Sequence, residues 1–269
     1  VKPSIKSSLE IKDLKMGWSR PFWTLFKKEV IRFFDVSVQA LIAPTISASL
    51  YLLIFGVSLG KRIGHFEGLS FAQFVVPGLV LMGVVTNSFL NTSSSLFFSR
   101  YLGYVVDMLV TPLSSSQIIF AYTLAAMLRG ILVGSAVYGI SLFFTSLPWV
   151  HPLHAILMLL LTSFLFAQLG LIAAIYSDTF EQLNMFNSFL LMPLIFLGGV
   201  FYPVTILPEF WQKVSWFNPL FYLIDGFRQS LLGIGDSPMW LDLSVSLGLS
   251  VVLFIWAALL IRSGYKLRN

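Results

Sequence analysis

Long apolar runs separated by short polar stretches dominate the chain. Crossing a bilayer as a helix takes about 20 apolar residues, and six runs fit that length: 36–60, 71–99, 117–145, 153–176, 183–202 and 243–261. The stretch 203–240 has a different pattern. Its apolar pieces are short and carry Glu209, Lys213, Asp225, Arg228 and Asp236. A charge at the bilayer centre costs roughly 2.5–3.5 kcal/mol, so several in one short piece argue against a seventh span. They predict a re-entrant or interfacial helical hairpin, whose irregular backbone must be covered by protein or water. Asn218-Pro219 supplies its break: the residue before proline avoids helical geometry, and asparagine can cap the next helix. Asp225 and Arg228, three apart, then share a helix face and can pair.

A second period appears before the first run. Phe22, Leu25, Phe26, Val30 and Phe33 recur at helical spacing, Lys27, Lys28 and Arg32 fall elsewhere on the wheel, and Pro21 suits a first turn. Residues 18–35 therefore read as an amphipathic helix along the membrane interface, with its basic side chains near anionic lipid heads. The expected fold is an all-α membrane protein: six transmembrane helices, an N-terminal amphipathic interface helix, and an extracellular re-entrant hairpin at 203–235 after helix five.

Composition agrees with a bilayer as solvent. The 269 residues are 57% hydrophobic and 11% charged, against roughly 25% charged in soluble domains. Charge placement then gives orientation. Eight of the 17 Lys+Arg lie in the first 35 residues, and Arg262, Lys266 and Arg268 close the chain. Six spans put both termini on one side, and the positive-inside bias makes that side cytoplasmic. A seventh span would put the basic tail outside. Residues 1–17 are expected as a cytoplasmic leader, too polar and too long for a secretory signal. Residues 36–262 form the six-span domain, and 263–269 a cytoplasmic tail.

Candidate chemistry is sparse. There is no cysteine, hence no disulfide framework or thiolate metal site. Gly60-Lys61 approaches a phosphate-binding loop, but Phe55 and Arg62 stand where glycine and Ser/Thr are required. His151 and His154 flank a short loop with no carboxylate nearby in sequence, and no nucleophile–base set is visible. Arg129, in the third run, is followed by Gly130 and Gly134 at small-xxx-small spacing. An intramembrane arginine marks a functional site by default, here for cargo or gate; a snorkelling or structurally paired arginine is the alternative. Composition and spans also suit a receptor, channel or scaffold. An intramembrane enzyme would need His or carboxylate pairs inside the spans, where almost none fall.

Two segments carry a resemblance. The first is RYLGYVVDMLVTPLSSS at 100–116, an amphipathic piece longer than a bare linker needs. The second is LGGVFYPVTILPEFWQKVSWFNPLFYLIDGFR at 197–228. The second closely resembles the signature of type-2 ABC exporter permeases. The run 107–113 resembles that family's coupling-helix region, with Asp107 where glutamate is common. The likeness covers nearly the whole chain from Trp18. It implies a homodimer, membrane lipids as surroundings, two copies of a separate ATPase chain that binds ATP and Mg, and no cofactor in this chain. It further implies a bacterial inner (plasma) membrane location, no nucleic acid, and drugs, lipids, glycolipids or lipid-linked polysaccharides as cargo classes. Carried residue by residue, Arg100, Asp107, Leu109, Thr111 and Pro112 fall at the ATPase contact. Gly198, Gly199, Tyr202, Pro203, Asn218, Pro219, Gly226 and Arg228 fall at the extracellular hairpin.

Overall fold

The computed structural model describes residues 19–35, 37–60, 65–66, 68–105 and 113–266. Helix α1 spans Ser19–Asp35 and α2 Ser37–Tyr51, which runs on as a π-helix, Leu52–Leu59. A two-residue antiparallel pair, β1 (His65–Phe66) and β2 (Leu69–Ser70), precedes α3 (Phe71–Tyr101). Helices α4 (Ser115–Ser141) and α5 (Pro152–Tyr176) follow. The fifth apolar run is composite: α6 (Phe180–Met185), a π-helix (Phe186–Leu191) and α7 (Met192–Leu197). Next come a 3₁₀ turn (Val204–Ile206), α8 (Glu209–Trp216), α9 (Pro219–Leu232) and α10 (Met239–Ser263). Among the described residues six helices are long and apolar enough to cross a membrane: Val38–Gly56, Phe71–Tyr101, Ser115–Ser141, Pro152–Tyr176, Phe180–Leu197 and Met239–Ser263.

Local chemistry sets the ends. Ser70 with Gln73, and Ser114 with Gln117, form capping boxes that start α3 and α4, each satisfying backbone donors the first turn leaves free. Gly233 and Gly264 end α9 and α10 at φ of 77° and 67°, a left-handed geometry that penalises a Cβ. The fifth span ends at Leu197, short of the expected 202, because the chain turns at Gly199 (φ 79°). The third ends at Ser141 rather than 145. Pro193 lacks an N–H and crowds the turn before it, and the preceding turns widen to π geometry.

Helix α3 is the hub, buried along most of its length. Glycines let α4 and α5 approach it closely: Gly130 faces Ser88, Gly134 faces Val84, and Gly170 faces the Phe89 carbonyl. Thr92 Oγ1 donates to the Ala167 carbonyl at 2.9 Å across the α3–α5 contact, and Gln168 donates to Thr123 at 2.9 Å between α5 and α4. Spans one and five lie at the periphery, 17% buried each.

Candidate functional site

Polar side chains gather at three levels of the bundle. At the end where α3, α5 and α10 meet, Arg100 donates to the carbonyls of Ala174 (2.5 Å), Ile175 (3.0 Å) and Ser177 (3.0 Å). These are carbonyls that the end of α5 cannot satisfy internally. Asp178 lies 3.7 Å from Arg100 and accepts from Lys266 at 2.6 Å. Lys266, then Arg100, hold the Asp178 carboxyl below its ordinary pKa. Arg100 thus closes the end of α5 and leads directly into the segment after α3. Asp107, Leu109, Thr111 and Pro112 lie outside the described residues.

Along the half of α3 that leads to Arg100, α1 leans on α3 and α4. Its apolar face, Leu25 and Phe33, is buried as the periodicity predicts, while Trp23, Lys27 and Lys28 are exposed. Glu29 falls on that buried face and is fully enclosed. Its Oε2 accepts from Ser95 at 2.5 Å and from Arg32 at 3.2 Å. Arg32 also donates to the side chain and backbone oxygens of Asn91, both at 3.1 Å. One turn along α3, Asn87 accepts from Arg129 through Oδ1 at 3.2 and 3.3 Å. Sequence reading passed over Glu29, though Leu25, Glu29 and Phe33 sit at i, i+4 spacing that marks one stripe.

Beside Asn87 a cavity of about 230 Å³ opens between span one and α3, lined by Pro44, Ser47, Tyr51, Thr86 and Asn87 among others, with Met192 of span five on its wall. Thr86 Oγ1 is buried without a partner on its wall. Among the described residues no group of three or more His, Asp or Glu is arranged to hold a metal ion.

At the opposite end the α8–α9 hairpin closes on the bundle. Asn218 caps α9 by accepting from Leu220 N–H at 3.0 Å, and its amide donates to the Leu194 carbonyl at 2.6 Å. Pro219 takes the first turn, where no N–H is needed. Arg228, buried, donates to the Gly199 carbonyl at 2.5 Å, stands 4.0 Å from Asp225, and lies over the Phe74 ring at 4.0 Å. Asp225 accepts from the backbone of Asp236 (2.9 Å) and from Ser237 (2.8 and 2.9 Å), and Ser237 Oγ also reaches Asp242. A Cβ at Gly226 would meet Asp242 and Met158, and one at Gly198 would meet Ile224. Tyr202 donates to the Phe196 carbonyl at 2.8 Å, and Pro203 leads into the 3₁₀ turn. Of the hairpin residues singled out in the sequence, Gly198, Gly199, Asn218 and Arg228 converge on the seam with the end of span five, while Gly226 faces α5 and α10. Arg129 and Arg100 stand apart from the seam, at the other two levels.

Comparison with known proteins decides what this architecture belongs to. The family model described as ABC-2 type transporter matches residues 20–232, from α1 through the hairpin. The chain belongs to the ABC-2 type transporter family. Among relatives, the inner membrane transport permease YadH of Escherichia coli (strain K12) is 39% identical over 252 residues, 92% of this chain and 98% of the relative. Nodulation protein J of Rhizobium leguminosarum bv. viciae is 23% identical over 240 residues, 88% and 92% of the two chains, and that of Rhizobium meliloti (strain 1021) is 24% identical over 219 residues, 81% and 82%. The ABC-2 match spans the capped start of α3, the glycine-packed hub and the Arg228 seam.

Proposed function

We propose that this chain is the permease subunit of an ABC exporter in a bacterial inner membrane, moving a hydrophobic or amphiphilic cargo outward with ATP hydrolysed by a separate subunit. The observation that carries the reading is membership of the ABC-2 family over residues 20–232, from α1 through five spans and the hairpin, in a chain whose sequence has no phosphate-binding loop. Likeness to an inner membrane transport permease supports it. Two permeases and two ATPases, the latter holding ATP and Mg, make the working unit. Both termini are cytoplasmic, α1 lies along the cytoplasmic interface, and the 203–235 hairpin re-enters from outside as the exit gate. Arg129 serves the cargo path, and 100–116 docks on the ATPase.

Docking of 100–116 gives the test. Arg100 is fixed on the end of α5, so force applied beyond it reaches α3 and α5 together. Asp107 is the acidic group offered to a basic ATPase surface. A charge-assisted hydrogen bond contributes roughly 1.5–3 kcal/mol, so Asp107→Ala should weaken the permease–ATPase complex roughly ten- to hundredfold. In proteoliposomes holding the complex of this chain with a soluble P-loop ATPase, D107A should lose stimulated ATP turnover and export while still inserting. Full turnover and full export in D107A would remove the coupling role.

A further inference from the structure

Arg129, near the middle of α4, and Arg32, on α1, form a cationic step with one counterion for two guanidinium groups. Arg129 has Asn87 Oδ1 as its hydrogen-bond acceptor, and among the described residues no carboxylate lies within ion-pair distance of it. The nearby carboxylate is Glu29, already engaged by Arg32 and Ser95, with its other oxygen enclosed and unpartnered. Asn87 and Asn91 are one helical turn apart on α3, so the two guanidinium groups they hold stand side by side. With Glu29 ionised, the cluster carries one net positive charge. The amide nitrogen of Asn91, a fully enclosed residue, is a donor with no partner. Arg32 is partly exposed, at 34% of its side chain, and Arg129 is half-buried, so the step has an open side.

An arginine at this depth costs several kcal/mol unless water or an anion faces it. Guanidinium donors in a fixed fork match phosphate and carboxylate oxygens. We infer that Arg129 and Arg32, positioned by Asn87 and Asn91, form a binding site for the acidic headgroup of an amphiphile, beside the cavity at Thr86 and Asn87. This rests on the permease reading and narrows the cargo to amphiphiles bearing a phosphate or carboxylate.

The test uses the full chain purified in detergent and reads lipid retention by native mass spectrometry, with phosphatidylglycerol and phosphatidylcholine of matched acyl chains as probes. Wild type should retain phosphatidylglycerol at least tenfold better, and inorganic phosphate at millimolar concentration should not displace it. Arg129→Gln should lose the preference and Arg129→Lys keep part of it. Because R129Q can fail by misfolding, Asn87→Asp supplies an internal counterion: it should fold and still lose the preference. Equal retention of both lipids by wild type overturns the site, as does an unchanged preference in folded R129Q or N87D. Displacement by free phosphate also overturns it, since the site would then take any small anion. These readouts need no ATPase, so failure here leaves export and stimulated ATP turnover standing as separate tests of the permease reading.

Discussion

Gly170 sits where α5 crosses α3, and a Cβ there would lie 2.5 Å from the Phe89 carbonyl oxygen and against Thr92 Oγ1. Backbone cannot yield as a flexible side-chain tip does. Gly170→Ala should therefore push the helices apart at a cost of about 1–3 kcal/mol. Gly248, on α10, faces open space, and Gly248→Ala should gain up to about 1 kcal/mol in helix propensity. Thermal unfolding in detergent compares the two. Shifts of the same sign and size would refute the close-packed crossing. The pair also shows what the sequence could tell. Gly130 and Gly134 announced themselves by spacing along one helix. Gly170 and Gly248 look alike as letters, because the difference lies in which helix stands opposite. Glu29 is the converse case: its stripe was readable, but a carboxylate in an apolar stripe makes sense only once Ser95 and Arg32 are seen to meet it.

At the scale of elements, proline and glycine marked the breaks well. Pro203, Pro208 and Pro219 bound the 3₁₀ turn, α8 and α9, and Asn218 caps α9 as its position before Pro219 suggested. The expected Asp225–Arg228 pair forms at 4.0 Å, but the shorter bond of Arg228 goes to the Gly199 carbonyl, 29 residues earlier. No local pattern encodes that partner. The π-helical turns of spans one and five were equally hidden, since proline signals a disturbance without saying how the ladder absorbs it. Arg228 thus ties the hairpin to the end of span five, and the tie predicts a ranking. Arg228→Met leaves Asp225 enclosed without its cation and the Gly199 carbonyl without its donor, a loss of about 3–5 kcal/mol. Tyr202→Phe removes one exposed hydrogen bond, about 0.5–1.5 kcal/mol. Unfolding midpoints and protease cutting within 203–235 should both rank R228M far below Y202F. Equal behaviour would mean that the seam does not hold the hairpin.

The whole molecule leaves spans one and five at the edge, and lipid alone does not satisfy what they expose. Apolar side chains there, such as Ile42 and Phe189, suit acyl tails as well as protein. The polar groups decide. The cavity between span one and α3, with Met192 of span five on its wall, carries Ser47, Thr86 and Asn87, and Thr86 Oγ1 has no partner. A hydroxyl or amide facing hydrocarbon costs several kcal/mol, so an outward-opening cavity of this kind calls for protein or a water-filled path across it. We propose that a second copy related by a two-fold axis supplies both: an isologous contact that sets span one of each copy against span five of the other would join the two cavities into one. Span six, 28% buried, is also peripheral, and no residue lining this cavity belongs to it, so lipid is expected there. In this naturally cysteine-free chain, Ile42→Cys with Phe189→Cys should give a covalent dimer under mild oxidation in membranes. Leu259→Cys on α10, also exposed, should not. Cross-linking through Leu259 with none through Ile42 and Phe189 would move the interface to span six and leave the cavity facing lipid. The same preparation, purified with its ATPase, should hold two permeases per two ATPases, and one permease per two ATPases would refute the dimer outright.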